Sequence, residues 1–466
     1  MGLREPERDR RARRVEPDPS RSRLGAGTRP GACKPSSQVQ PAARFDAGGR
    51  GSLSDARPSV DTFRRRLAWV LFGALCCQLG VITWAEWQPE RFDYPDSHRY
   101  LRVARNIAAG NGPIESADLR AGTDPLYPLV LSIPIRLGMT DDVYVCRFAR
   151  GVQAVLGVVI VALTAAVARR WVSDRAALVA AALLATHPIL LFFHGLVLTE
   201  ILYIALLMGA WLFLARLREQ GTLPDAFACA GATGILLGLA TLTRSTSLLL
   251  PILVLPLIWH FTNGPTPHKA RIAIAAMLLY GAVLAPNILR NERLFGRLIP
   301  TRVGGGASLL EALGPWADGS PGMDRIVYPP VDAHADEAER DAVYRRAAID
   351  WARAHPQETL ALAWAKLRRT WSITLNAPGY ESPLYAAVGW LTVAPIFALA
   401  VAGIWRLRRQ GWTLLFLLVP AIYFSAIHMV FVGSVRYRMP AMPLLMILAV
   451  VGAGARLRLD QPRSNV

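Results

Sequence analysis

Lysine is nearly missing from this chain: only Lys34, Lys269 and Lys366 occur in 466 residues, so the net charge of +18 is almost wholly arginine. Cysteine is scarce too. Cys33, Cys76, Cys77, Cys146 and Cys229 have neither metal-ligand spacing nor the pattern of a disulfide framework. There is no Walker or dinucleotide fingerprint, no nucleophile elbow and no His-Glu-x-x-His, which removes the readable signatures of nucleotide, acyl-transfer and zinc-hydrolase chemistry. No nucleic-acid-binding motif accompanies the basic charge, which sits beside apolar runs, so nucleic acid is not expected as a partner. A clear internal repeat is also lacking, and that argues against an inverted-repeat transporter.

What the chain has is apolar length. Hydrophobic residues make up 53% of it and the mean hydropathy is +0.29, too apolar for a soluble protein of this size. About ten runs are expected to cross a membrane, near 67–87, 148–168, 176–193, 197–215, 226–243, 246–262, 271–289, 385–404, 412–431 and 437–455. Arginine falls at every second turn: Arg64–Arg66, Arg169–Arg175, Arg216–Arg218, His268–Arg271, Arg406–Arg409 and the tail Arg456, Arg458. The preference of cytoplasmic loops for basic residues puts these turns and both termini inside. The expectation is an all-α, polytopic protein of the cytoplasmic (inner) membrane.

Five regions follow. Residues 1–62, rich in Arg, Pro and Gly, read as a disordered cytoplasmic tail with too little apolar surface to offset ordering. Residues 63–289 form a transmembrane core with a first outer loop at 88–147. Residues 290–384 form a large outer loop packed on the membrane domain, with helices expected at 335–354 and after Pro356. The last spans occupy 385–455 and a short cytoplasmic tail 456–466. Within the first outer loop an amphipathic helix from Ser97 to Ala109 and a shorter apolar stretch, Leu126–Leu137, are expected at the membrane interface. Gly234 and Gly238 form a small-residue motif suited to helix packing.

Several polar residues stand out. Asp96 opens the helix after Pro95. It either caps free backbone N–H groups there or, held rigidly at the membrane surface, accepts a proton from a hydroxyl. Glu200 interrupts the apolar stretch 189–211 and is either a helix-start acid or a second carboxylate beside Asp96. Arg244, Arg302, Arg436 and Arg438 fall on the outer side, against the topological preference, and a phosphate is the natural partner for such guanidiniums. Gly304–Gly306 could bring backbone amides to a phosphate, although a glycine run is more often a turn. His187, His194 and His428 lie at different span ends and read as structural.

The pattern resembles the membrane-embedded C-type glycosyltransferases, which include the protein O-mannosyltransferases and the aminoarabinose transferases of lipid A. Pro95-Asp96-Ser97-His98-Arg99-Tyr100 is similar to their first-loop acidic motif, and Asp124-Pro125-Leu126-Tyr127-Pro128 to the proline segment after it. Gly238 to Arg244 resembles their mid-chain Gly/Arg motif. Pro286-Asn287 to Asn291 with Phe295-Gly296 resembles the start of the major outer loop, and Arg436-Tyr437-Arg438 with Pro440 and Pro443 the start of a late span. The resemblance implies inverting transfer of a sugar from a polyprenyl-phosphate carrier to a lipid, glycan or protein hydroxyl at the outer face. It implies Asp96 as general base and Arg244, with Arg436 or Arg438, as donor-phosphate ligands, with Glu200 an approximate match to a second acid; Arg302 is a further donor-phosphate candidate by its outer position. Tyr100, Asp124, Tyr127 and Tyr437 would line the substrate pocket. No metal or other cofactor is expected, since the donor's phosphate is its own leaving group. One departure is clear: Thr123-Asp124 stand where the aminoarabinose transferases have a lysine. The rival expectation is a transporter or flippase for an anionic lipid-linked sugar, which predicts charges at the bilayer midplane rather than at one face.

Overall fold

The computed structural model describes residues 60–375 and 382–458. Sixteen α-helices are found among them, and no strand. In order these are α1 Val60–Trp87, α2 Pro95–Ala108, α3 Leu126–Arg136, α4 Asp142–Ala168, α5 Asp174–Ala185, α6 Pro188–Gly195, α7 Glu200–Leu217, α8 Leu223–Thr243 and α9 Leu250–Phe261. They continue with α10 Thr266–Phe295, α11 Gly305–Ala312, α12 Glu337–Ala354, α13 Pro356–Thr370, α14 Pro383–Leu407, α15 Gly411–Val430 and α16 Met442–Gly452. The fold is an all-α polytopic membrane protein. The tail expected at 1–62 lies outside the described residues up to 59, and its last residues already belong to α1. Of the second tail, residues 459–466 lie outside as well.

Sequence chemistry marks most helix starts. Asp141 accepts from the Val143 N–H at 2.8 Å, Thr222 from Asp225 at 3.3 Å, and Asp336 forms a reciprocal capping box with Glu339. Each of the ten expected spans meets helix, though not each is one long apolar helix. Eight helical segments are long and apolar enough to cross a membrane, and the pair α5 and α6, bent by 51°, makes a ninth. The bend follows from Pro188, with His187 Nδ1 accepting the Leu190 N–H at 3.2 Å. The stretch expected at 246–262 yields α9, only 12 residues long. At 1.5 Å per residue that is about 18 Å, short of the ~30 Å hydrocarbon core. Its first turns are replaced by a 3-10 turn, Ser245–Ser247, that belongs to the site. The last span likewise opens as a 3-10 helix, Val435–Ala441, before α16.

The small-residue motif packs as expected: a side chain at Gly234 would strike the Ala276 carbonyl of α10, and one at Gly238 would strike Val283. The arginine-rich turns gather at one end of the bundle, where Arg218 lies over Trp171, Trp171 meets Phe261, and the Arg458 N–H bonds the Trp171 carbonyl. At the other end the two long connections dock on each other. Glu337 of α12 accepts the Arg120 and Ala121 N–H groups at 2.9 and 3.0 Å, and the Val303 N–H bonds the Ala121 carbonyl at 2.8 Å.

Candidate functional site

At this second end, residues from four distant segments converge. Asp96 is the second residue of α2, whose N-cap is Tyr94, and no side-chain cap is made. The capping alternative is thereby set aside: one oxygen, Oδ2, accepts from Arg436 Nη1 at 2.9 Å, 340 residues away in sequence, and Oδ1 lies 3.8 Å from Arg99. Ser97 Oγ anchors α2 by donating to the Val197 carbonyl at 3.1 Å, just ahead of α7.

Glu200 is the first residue of α7 and is 1% exposed. Its Oε1 accepts from two guanidiniums, Arg244 Nη1 at 2.5 Å and Arg436 Nε, while Oε2 has no partner. Both carboxylates stand at helix N-termini and Arg244 follows the C-terminus of α8, so the helix dipoles favour every one of these charges. Taking such groups out of water costs several kcal/mol each unless they are paired. Pairing is what draws 96, 200, 244 and 436 together. An aromatic shell holds the guanidiniums in place: Arg244 lies between Tyr203 and Tyr437, and Arg436 over Tyr94. Tyr437 is in turn stacked on His428 at 3.9 Å.

Burial pushes the Asp96 carboxyl up, but the charges of Arg436, Arg99 and Arg244 outweigh it and hold Asp96 below its ordinary value. It is therefore an anion at neutral pH. Tyr100 goes the other way, pushed up to about 12 by burial and by Asp96.

Asp124 joins from the first loop. Its Oδ2 accepts the Ser245 N–H at 2.9 Å, next in sequence to Arg244, and lies 3.9 Å from Arg302 Nε; its Oδ1 and the neighbouring Thr123 Oγ1 are buried without partners. Burial raises the Asp124 carboxyl above its ordinary value against the pull of Arg302. Arg302 also donates to the Gly122 carbonyl and to Ser308 Oγ, both at 3.3 Å.

Other expected site residues are placed elsewhere. Arg438 is fully buried and turned away, with Nη1 on the carbonyls of Thr370 and Ser372, where it closes the C-terminus of α13. Tyr127 is 3% exposed and its hydroxyl donates to Gln153 at 3.0 Å, so it is packing beneath Tyr100 rather than pocket wall. The amides of the glycine run are already occupied: Gly306 and Ala307 donate to Asp341 Oδ1 at 2.7 and 3.2 Å.

Glu311 of α11 was not anticipated. It is buried, accepts the Gly322 N–H at 2.8 Å, and lies within electrostatic reach of Asp96, Arg302 and Tyr437, with burial raising its carboxyl. The signal was a lone acid in Leu309-Leu310-Glu311-Ala312-Leu313. Beside the cluster, an apolar cavity of about 230 Å³ is lined by Trp84, Phe192, Ile373, Leu375, Leu384 and Val388, among others. Phe92, packed on Trp84 and Phe192, links that wall to Tyr94 and so to Arg436.

Residues 125–289 match the family model described as dolichyl-phosphate-mannose-protein mannosyltransferase. No curated protein matches the chain by sequence. Among solved structures, the archaeal oligosaccharyltransferase AglB from Archaeoglobus fulgidus, in complex with an inhibitory peptide and a dolichol-phosphate, is 15% identical with a TM-score of 0.52. That alignment covers 84% of this chain and 50% of AglB, so the chain spans about half the length of that protein. The apo form of the same enzyme gives 16% identity and a TM-score of 0.50, covering 82% and 50%. ArnT from Cupriavidus metallidurans bound to undecaprenyl phosphate is 17% identical over 85% of this chain and 77% of its own, with a TM-score of 0.34. The resemblance to the C-type glycosyltransferase superfamily, stated on motifs alone, is borne out by the family match and the shared AglB fold.

Proposed function

We propose that this chain is an inverting glycosyltransferase that moves a sugar from a polyprenyl-phosphate carrier to a hydroxyl of a lipid, glycan or protein acceptor. The reaction takes place at the outer face of the cytoplasmic membrane, with both termini inside. One observation carries the reading: two guanidiniums are tied to a single buried glutamate, and one of them also to an ionised Asp96, at one end of an apolar bundle.

Asp96 takes the proton of the acceptor hydroxyl. The hydroxyl oxygen forms its bond to the anomeric carbon as the bond from that carbon to the phosphate oxygen breaks. The electron pair leaves on the lipid phosphate, and a single displacement inverts the anomeric centre. Arg244 commits Nη1, and Arg436 commits Nε and Nη1, to the carboxylates. A guanidinium has five donors, so each can still meet the developing phosphate charge. Glu200, with both arginines on one oxygen, aims them rather than moving a proton. The apolar cavity walled by Trp84 and Phe192, on which Phe92 packs two residues before Tyr94, suits part of an isoprenoid chain. A phosphate leaving group held by arginines needs no metal, so a chelator is expected to leave the rate unchanged.

The test is a paired glycan analysis. The gene is deleted, wild type or Asp96→Asn is restored at matched membrane levels, and envelope glycans are compared by mass spectrometry. The proposal expects one sugar to vanish on deletion and to return with wild type alone. If Asp96→Asn restores it fully, Asp96 is not the base and transport of a lipid-linked sugar becomes the better reading.

A further inference from the structure

The helix α13 is built inside out. Two of its largest apolar side chains, Leu360 and Trp364, are 73% and 59% exposed. The buried stripe is Leu362, Lys366 and Thr370, with Lys366 wholly covered. Lys366 Nζ donates to the Val430 carbonyl at 2.9 Å, the last residue of α15, and Arg438 closes the C-terminus of α13 itself. Two orphan helix ends thus receive the two buried cations, and the apolar residues are turned outward.

These contacts also fix the depth of α13. Lys366 meets Val430, and five residues on, Trp371 donates from Nε1 to Ser425 Oγ at 2.8 Å, five residues back along α15. The two helices therefore run antiparallel and in step for about 7 Å. The 20 residues of α15 span about 30 Å, the thickness of the hydrocarbon core, so Val430 stands near its boundary. Trp364, two residues before Lys366, is then within about 3 Å of that boundary. It faces outward at the level where tryptophan is favoured in membrane proteins. Arg368, exposed one turn further on, can extend its guanidinium back to the phosphate level. The chain after α13 packs on α14 through Trp371 and Phe397, and α14 itself exposes Trp390 and Leu391.

We infer that the outward face of α13 is a phospholipid-binding surface: Trp364 sits in the interfacial layer of the leaflet on the site's side, and Arg368 pairs with a lipid phosphate. The large connection between α10 and α14 is consequently anchored in the membrane rather than lying clear of it. Since α12 packs on α11, which carries Glu311, this anchor also sets the height of the site's roof. The inference does not depend on the proposed reaction.

The experiment uses the unmodified protein in phospholipid nanodiscs containing a phosphatidylcholine with a photoactivatable diazirine close to its glycerol. After illumination, cross-linked peptides are mapped by mass spectrometry. Adducts at 360–368 are expected, in addition to those on the spans. Adducts confined to the spans would overturn the inference. As a second reading, Trp364→Cys in a chain whose five native cysteines are replaced carries an environment-sensitive fluorophore. Spin-labelled lipid should quench most of its emission and aqueous iodide little. Quenching by iodide alone means that the face looks into water, and protection from both quenchers means that a protein covers it. Either result contradicts the lipid assignment.

Discussion

Asp174 at one end of the bundle and Glu200 at the other are each shared by two arginines, and these two triads behave differently. At the end of the arginine-rich turns, Asp174 receives Arg169 Nε at 3.0 Å and Arg458 Nη2 at 2.5 Å on Oδ1, and Arg169 Nη2 at 3.3 Å on Oδ2. Arg169 is also stacked over Phe63 at 3.9 Å, and Arg458 donates to the Arg169 carbonyl at 3.0 Å. That triad is satisfied on both oxygens and its outer arginine is half exposed. At the other end Glu200 bonds both arginines on one oxygen and leaves the other without a partner, deep in the protein. The same residue types make a closed staple in one place and an open constellation in the other. The difference lies in burial and in unfilled hydrogen-bonding capacity, because only the second keeps charged groups ready for a further ligand.

If that contrast is right, substitutions at the two ends diverge. Asp96→Asn removes the base and should lower sugar transfer by about 10²–10⁴-fold, measured as turnover in reconstituted vesicles, with membrane levels unchanged. Glu200→Gln strips the charge partner from two buried guanidiniums. It should cost about 3–5 kcal/mol of stability, read as a fall in thermal denaturation temperature in detergent, together with loss of activity. Arg436→Lys keeps the charge but loses the fork that bridges Asp96 and Glu200, and a drop of about 10²–10³-fold in rate is expected with folding largely retained. Asp174→Asn in the closed, more exposed triad should cost at most about 1 kcal/mol and leave turnover alone. Equal losses at Asp174 and Glu200 would erase the distinction.

The pH dependence sharpens it further. Asp96 is held below its ordinary 3.8, so its basic form persists down to that pH and is lost only beneath it. Asp124 is raised above 3.8 by burial, so it protonates first as pH falls and weakens its pairing with Arg302. An acid limb above pH 3.8 should therefore come from Asp124 and from Glu311, which burial also raises, and Asp124→Asn should remove the first contribution while Glu311→Gln removes the second.

Much of this was legible in the sequence because the bilayer imposes simple rules. Apolar length located the helices, and alternating arginines gathered the turns that the structure brings to one end. Asp96, Glu200, Arg244 and Arg436 were visible because charge next to apolar runs needs a reason. What escaped notice depended on which way a side chain turns. Arg436 and Arg438 are two residues apart in a 3-10 helix, yet one faces Asp96 and the other caps α13. Tyr127 reads as pocket wall until its hydroxyl is seen on Gln153. Periodicity found α13 but not which of its faces is turned inward, since hydrophobicity alone cannot tell a protein core from lipid. The stretch 246–262 reads as one continuous helix because apolar composition continues through the 3-10 turn that carries Ser245.

The central claim is that the open triad performs a displacement at a lipid-linked sugar. It is tested most directly with purified protein in proteoliposomes, given a panel of polyprenyl-phosphate sugars and an acceptor extract, with free polyprenyl phosphate and product anomeric configuration as readouts. The account predicts stoichiometric release of polyprenyl phosphate, an inverted anomeric linkage, no dependence on added metal and no turnover in Asp96→Asn. Retention of configuration, or movement of the intact lipid-linked sugar across the bilayer without cleavage, would contradict it.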